Sequence, residues 1–205
     1  NIVKKKYHVT NLKKRYGEIS LPNFEIINLH NENLNKDSWI AKKTINEVNK
    51  YLDKGDQVLF FLNRRGYSPF VICKKCSYKF ECPNCAVSLN FHKTINRLLC
   101  HYCGYKSILA RSCKDGKKCD LHFCGPGVER IFSELKKIYP NKNIEIFSSD
   151  TVRKNKFTNE LIKNIEKKNI DILVGTQLLS KGFHFPKLNC IVVVDADFTS
   201  HGYDL

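Results

Sequence analysis

Nine of the ten cysteines in this 205-residue chain fall between positions 73 and 124, and no other feature narrows the accessible folds so far. Six of them form three C-x-x-C pairs, Cys73/Cys76, Cys82/Cys85 and Cys100/Cys103. In a cytosolic setting such density reads as metal binding and not as disulfides. A C-x-x-C turn lets two thiolates converge on one tetrahedral zinc at about 2.3 Å each, and two such turns close a structural site. Regular knuckles in a polar, lysine-rich stretch favour zinc over an iron–sulfur cluster.

Six cysteines supply one and a half sites, so the other half must come from Cys113, Cys119 and Cys124. Four half-sites allow three pairings. Cys76 and Cys82 are close in sequence, which makes folding adjacent pairs onto one metal awkward. A nested arrangement of two zinc ions is therefore expected. Cys73, Cys76, Cys113 and Cys119 would hold one, and Cys82, Cys85, Cys100 and Cys103 the other. Cys124 rivals Cys119 for the last position, or packs at a boundary before Gly125-Pro126-Gly127. His92 and His101 lie among the pairs, and His101, inside the third knuckle, could ligate in principle; the thiolates already suffice and a residue between two ligands points away from the metal, so neither is expected to be a ligand. A catalytic zinc needs an open position and a nearby base. Glu81 is the only acidic residue between Cys73 and Cys103, so the expected role is structural. Cys190, in an apolar run, reads as a small buried residue.

The flanks have a different rhythm. Phe24–Leu29 reads as a strand. Asp37 and Ser38 would cap a helix running to about Leu52, with Ile45, Val48 and Leu52 on one face. Gln57–Leu62 is a continuous apolar run, as in a parallel sheet covered on both sides. After the cysteines, Val128, Ile131, Phe132, Leu135 and Ile138 have helical spacing. A strand at Asn143–Phe147, a helix at Lys156–Lys167 and strands at Ile170–Val174 and Leu188–Val194 follow. Alternating β and α implies a parallel α/β sheet. Three stretches result: 1–67, the start of an α/β lobe; 68–124, a zinc-binding insertion; and 125–205, the continuation of the lobe. The insertion leaves at the carboxyl edge of the sheet, where such folds place ligand sites.

Three strand ends carry polar signals. Gly175-Thr176-Gln177 opens a string through Lys181 to Pro186, and a Gly-Thr turn at a strand end offers N–H groups and a hydroxyl to phosphate oxygens. Asp195 and Asp197 follow another strand. Paired acids there bind Mg²⁺ or fix neighbouring loops, and a structural or coupling role is preferred. Arg64 and Arg65 follow Leu62 and would contact phosphates or pair with those acids. His184 has no nucleophile near it in sequence and reads as a packing or polar contact. No Walker A string is present, so the chain alone is not expected to hydrolyse ATP.

The chain has 35 Lys and Arg against 20 Asp and Glu, a net charge of +15. That surplus suits a phosphate backbone, and lysines equally serve to solvate a surface. No apolar stretch is long enough to span a bilayer and no signal-peptide pattern opens the chain, so a cytoplasmic protein is expected. The absence of methionine makes an internal piece of a longer protein the expectation.

The string Phe61-Leu62-Asn63-Arg64-Arg65-Gly66-Tyr67, the cysteine pairs, Cys124-Gly125-Pro126-Gly127-Val128-Glu129-Arg130, Ser149-Asp150-Thr151 and Gly175 through Pro186 together resemble the PriA family. These are bacterial primosomal replication-restart DNA helicases (primosomal protein N′). The resemblance covers nearly the whole chain, in order. It implies a second RecA-like helicase lobe in a superfamily 2 enzyme that unwinds DNA 3′ to 5′ with ATP and Mg²⁺. It also implies four cysteine pairs in the nested pattern. The implied partners are forked, D-loop or single-stranded DNA, primosome proteins and single-stranded-DNA-binding protein. Gly175–Pro186 resembles helicase motif V, which makes Thr176, Gln177 and Lys181, with Arg64 and Arg65, the implied DNA or coupling contacts. The family's last pair is C-x-x-C. Here Gly116 stands at that ungapped position and Cys119 comes three residues later. The first lobe and motif VI are expected outside this stretch. The competing class is a non-enzymatic zinc-ribbon adaptor that binds nucleic acid or protein.

Overall fold

A computed structural model describes residues 21–35, 38–62, 68–109, 112, 118–148, 155–176 and 185–196. In chain order the elements are α1 (Lys42–Leu52), β1 (Gln57–Phe61), β2 (Phe70–Cys73), β3 (Asn90–His92), β4 (Arg97–Leu99), β5 (Lys106–Ile108), β6 (Leu121–Cys124), α2 (Val128–Ile138), β7 (Ile144–Phe147), α3 (Asn155–Glu166), β8 (Ile172–Gly175) and β9 (Leu188–Val193).

The apolar runs form one parallel sheet, ordered β7-β8-β1-β9. Val58, Phe60 and Leu62 pack on one face with Val48 and Leu52 of α1 and with Val128, Ile131 and Leu135 of α2. Leu59 packs on the other face with Phe147, Leu173 and the α3 residues Leu161 and Ile165. The central strand is thus covered on both sides, which is why β1 has no polar alternation. Gln57, at its start, is 3% exposed and donates Nε2 to the carbonyls of Ile165 and Ile170, at 3.0 and 2.8 Å. At the end of α3 it thereby shares the Ile165 carbonyl with the Lys168 N–H, which donates at 3.0 Å, so a helix-terminal acceptor is satisfied twice.

Two expectations are corrected. Phe24–Leu29 is not a strand: Phe24 and Ile26 are 86% and 93% exposed, and the Asn28 side chain accepts from His30 N–H, turning the chain into a 3₁₀ turn at Leu29–Asn31. Among the described residues no strand pairs with that segment. Ser38 does not cap α1, which starts at Lys42 with Ala41 before it. The Ser38 hydroxyl and the N–H groups of Trp39 and Ile40 turn instead to the Glu134 carboxylate of α2. Asp37 lies outside the described residues.

The cysteine-rich stretch departs after β1 and returns just before α2. Its two ends meet in an antiparallel ladder in which Phe70 pairs with Cys124 and Cys73 with Leu121. Between them β3, β4 and β5 form a second antiparallel sheet. Its core is Val71, Phe80, Cys82, Leu89, Phe91, Leu98 and Cys100.

Candidate metal centre and strand-end site

Each of the three C-x-x-C pairs is built on one backbone pattern. The carbonyl of the first cysteine accepts from the N–H four residues on: Ser77 to Cys73 at 2.8 Å, Ala86 to Cys82 at 2.9 Å and Gly104 to Cys100 at 2.9 Å. The N–H of the first cysteine donates to the carbonyl five residues on, in Tyr78, Val87 and Tyr105, at 3.0, 2.8 and 2.8 Å. The residue after each second cysteine is left-handed, with φ of 55° at Ser77, 53° at Ala86 and 77° at Gly104. Each turn sits at the end of a short antiparallel pairing, Ile72 with Lys79, Glu81 with Ser88 and Leu99 with Lys106. Ser112 pairs with Lys118 in the same manner. That pairing encloses one residue fewer, which accords with the missing C-x-x-C spacing there.

The two inner turns converge. The Sγ atoms of Cys82, Cys85, Cys100 and Cys103 all lie within 4.8 Å of one another, and those of Cys82 and Cys103 are 3.5 Å apart. The Tyr105 N–H, aimed at the Cys103 sulfur, brings that thiol down to about 6. The hydrogen bond with Cys103, together with burial, pushes the Cys85 thiol up to about 12. Burial raises Cys82. Four thiols this close do not all ionise by themselves, whereas a shared cation stabilises every thiolate. The donor set and its spacing therefore fit a closed, tetrahedral zinc site, with no position left for a substrate.

Of the outer cysteines among the described residues, Cys73 and Cys124 lie on the β2–β6 ladder, and Cys76 and Cys119 lie just beyond its ends in sequence. Lys74 N–H donates to the Asp120 carbonyl at 2.8 Å, and Lys75 Nζ reaches the Lys118 carbonyl at 3.4 Å. Residues 118–120, with Cys119 in the middle, therefore run beside the Cys73/Cys76 turn. Cys124 is paired with Phe70, three ladder steps from Cys73, a separation of about 10 Å at 3.3–3.4 Å per residue. Its thiol donates to the His122 carbonyl at 3.8 Å, and burial raises its pKa. Cys113 lies outside the described residues. His101 Nε2 is 3.0 Å from His92 Nε2, and His92 Nδ1 is 3.1 Å from Glu129 Oε1. The cysteine spacing implies only that neither histidine is a metal ligand, and it assigns Glu129 no role. Its contacts span more than thirty residues of chain, and no local pattern announces them.

At the carboxyl edge of the parallel sheet, Leu62 N–H donates to Gly175 O at 2.9 Å, Val194 N–H to Phe61 O at 2.9 Å and Thr176 N–H to Phe147 O at 3.4 Å. The ends of β1, β7, β8 and β9 are thus brought together. Thr176 is 6% exposed and Ser148 3%. Asp195 has φ of 56°. Arg64, Arg65, Gln177, Lys181, His184 and Asp197 lie outside the described residues.

A parallel α/β lobe with a thiol-lined insertion at its carboxyl edge has counterparts among known proteins. Residues 106–204 match the Helicase conserved C-terminal domain, and residues 82–107 match the PriA DNA helicase Cys-rich region (CRR) domain. The chain thus joins a match to the helicase conserved C-terminal domain with a match to the PriA Cys-rich region. The replication restart protein PriA of Rickettsia felis is 41% identical over all of this chain. Those of Bacillus subtilis and Haemophilus influenzae are 32% and 34% identical over 95% and 96% of it. The chain belongs to the PriA family. It spans 32% of the Rickettsia relative's length, 24% of the Bacillus relative's and 27% of the Haemophilus relative's. Among the described residues no helix is long and apolar enough to cross a membrane.

Proposed function

We infer that the chain is the second motor lobe, with its inserted metal module, of a cytoplasmic ATP-dependent 3′–5′ DNA helicase that restarts stalled forks and assembles the primosome. The observation that carries this reading is the gathering of four parallel strand ends at the edge from which the cysteine module departs. An edge of this kind couples one bound ligand to another, because every loop leaving it shares one rigid sheet. Residues 1–67 and 125–205 form the lobe and 68–124 the module. ATP and Mg²⁺ are held with the help of parts of the whole protein beyond this lobe. Arg64, Arg65, Gln177 and Lys181 contact forked, D-loop or single-stranded DNA. Thr176, being buried, acts through coupling and not by touching DNA. Primosome proteins and single-stranded-DNA-binding protein are the partners.

The module holds two zinc ions. Cys82, Cys85, Cys100 and Cys103 bind one, and Cys73, Cys76, Cys113 and Cys119 the other. The passage of residues 118–120 beside the Cys73/Cys76 turn favours Cys119 over Cys124. Zinc here shapes the module and supplies no chemistry to the substrate. The test is ATP- and Mg²⁺-dependent unwinding of a forked duplex by the full-length protein, with metal analysis alongside. Unwinding is expected, as are two zincs per chain, with one lost in Cys119→Ser and none in Cys124→Ser. A full-length protein that binds forks but neither hydrolyses ATP nor unwinds them would make the module a passive adaptor and overturn the reading. Zinc loss in Cys124→Ser with two ions kept in Cys119→Ser would reverse the ligand choice.

A further inference from the structure

Helix α2 carries three charged side chains that reach three different parts of the chain. Glu129 accepts from Lys93 N–H at 3.0 Å, from Thr94 N–H at 3.5 Å and from the Thr94 hydroxyl at 3.4 Å, and it pairs with His92. All three partners lie on or beside the β3–β4 turn of the metal module, and His92 leads on to His101 inside the Cys100/Cys103 turn. Arg130, 7% exposed, donates Nη1 to the carbonyls of Phe123 and Gly125 at 3.3 Å each, and its guanidinium lies 5.8 Å from the Trp39 ring centre. Glu134 takes the N–H groups of Trp39 and Ile40 at 3.1 Å, together with the Ser38 hydroxyl. A single helix therefore grips the module's turn, the module's exit strand and the segment that enters α1.

The apolar clusters of the lobe and of the module share no residue. Glu129 and Arg130 of α2 make polar contacts with the module across that division. Glu129 suits an orienting role. It lies in the first helical turn, where the macrodipole favours an anion, and its hydrogen bonds are charge-assisted and directional. We propose that Glu129 is a positioning residue, the joint that fixes the metal module's orientation on the motor lobe, with α2 carrying displacements of segment 38–40 to the module. The consequence for unwinding rests on the helicase reading above; the joint itself does not.

The test uses the full-length protein on forked DNA. A ketone-bearing residue is introduced at Lys50 on α1 and at Ile108 on β5, and spin labels are attached there, because the cysteines bar thiol labelling. Glu129→Gln is expected to keep the zinc content, to broaden the distance distribution and to lower unwinding per ATP hydrolysed by roughly tenfold, the middle of the usual range for coupling between sites. Glu134→Gln, whose hydrogen bonds among the described residues go to segment 38–40, should broaden the same distribution. An unchanged distribution in Glu129→Gln overturns the joint, and so does zinc loss, which would make the contact part of the module's own folding. An unchanged distribution in Glu134→Gln overturns the transmission. A wild-type protein that fails to unwind removes the helicase reading, while the distances still decide the joint.

Discussion

The parallel lobe and the cysteine module hold themselves together by different means. Among the described residues the lobe buries thirteen apolar residues on one face of its sheet and six on the other, from strands and helices far apart in sequence. The module's cluster has seven members, two of which, Cys82 and Cys100, belong to the thiol quartet. A core that small does not support a folded unit alone, and small domains of this kind depend on metals or disulfides. Two kinds of cohesion in one chain give them separate vulnerabilities.

Removing zinc is the largest test of that contrast. A strong chelator at neutral pH should raise exchange at the amides of Leu98 and Cys100 to unfolded-chain rates and leave those of Phe60 and Leu173 protected. A structural zinc contributes on the order of 10–16 kcal/mol of apparent folding energy in such modules. The converse is Phe60→Ala, which empties the centre of the sheet where Phe60 is fully buried. It should cost about 3–5 kcal/mol in urea titration with the zinc content unchanged. Loss of zinc there would show that the two regions fold as one. Gln57→Leu strands the Ile170 carbonyl, leaves the Ile165 carbonyl only the Lys168 N–H, and should cost about 1–3 kcal/mol, again in the lobe alone.

Smaller changes address the module and the joint. Ser77→Gly and Ala86→Gly relieve left-handed backbone and should each stabilise the module by about 1 kcal/mol, measured as resistance to chelation. Gly104→Ala should act oppositely, although nothing crowds the space its Cβ would fill. The pH response of the joint follows from Glu129. Burial pushes this carboxyl up, but the His92 hydrogen bond and charge, with the Thr94 and Lys93 N–H groups, outweigh burial and leave it below its ordinary 4.5. Its contribution is therefore complete above pH 4.5 and is lost as the pH falls through the lowered value. Exchange at Lys93 and Thr94 should rise there before the sheet opens.

What was legible in the sequence follows the same division. The convergence of the four thiols could be read because a knuckle is local: cysteine spacing sets the turn, and the turn aims both thiols. The buried strands β1 and β8 could be read because a strand covered on both faces needs an unbroken apolar run. The misread elements depend on distant partners. Ser38 has the residue type of a helix cap, yet Glu134, far along the chain, claims its hydroxyl and the two following N–H groups. Phe24–Leu29 has strand composition, but a strand exists only beside another strand. Glu129 was visible within a family-like string and still gave no sign of the turn it holds.

The β2–β6 ladder has a consequence for the host sheet. Ser68 Oγ donates to the Cys124 carbonyl at 2.6 Å, so the chain re-enters the lobe next to where it left. Once that ladder closes, the connection from Leu62 to Val128 behaves as a loop of roughly a dozen residues instead of about sixty-five, a saving of about 1.5 kcal/mol in closure entropy. The module is thus a cassette. Its length is nearly invisible to the fold around it, and residues can be gained or shed inside it while the β1–α2 crossover keeps its reach.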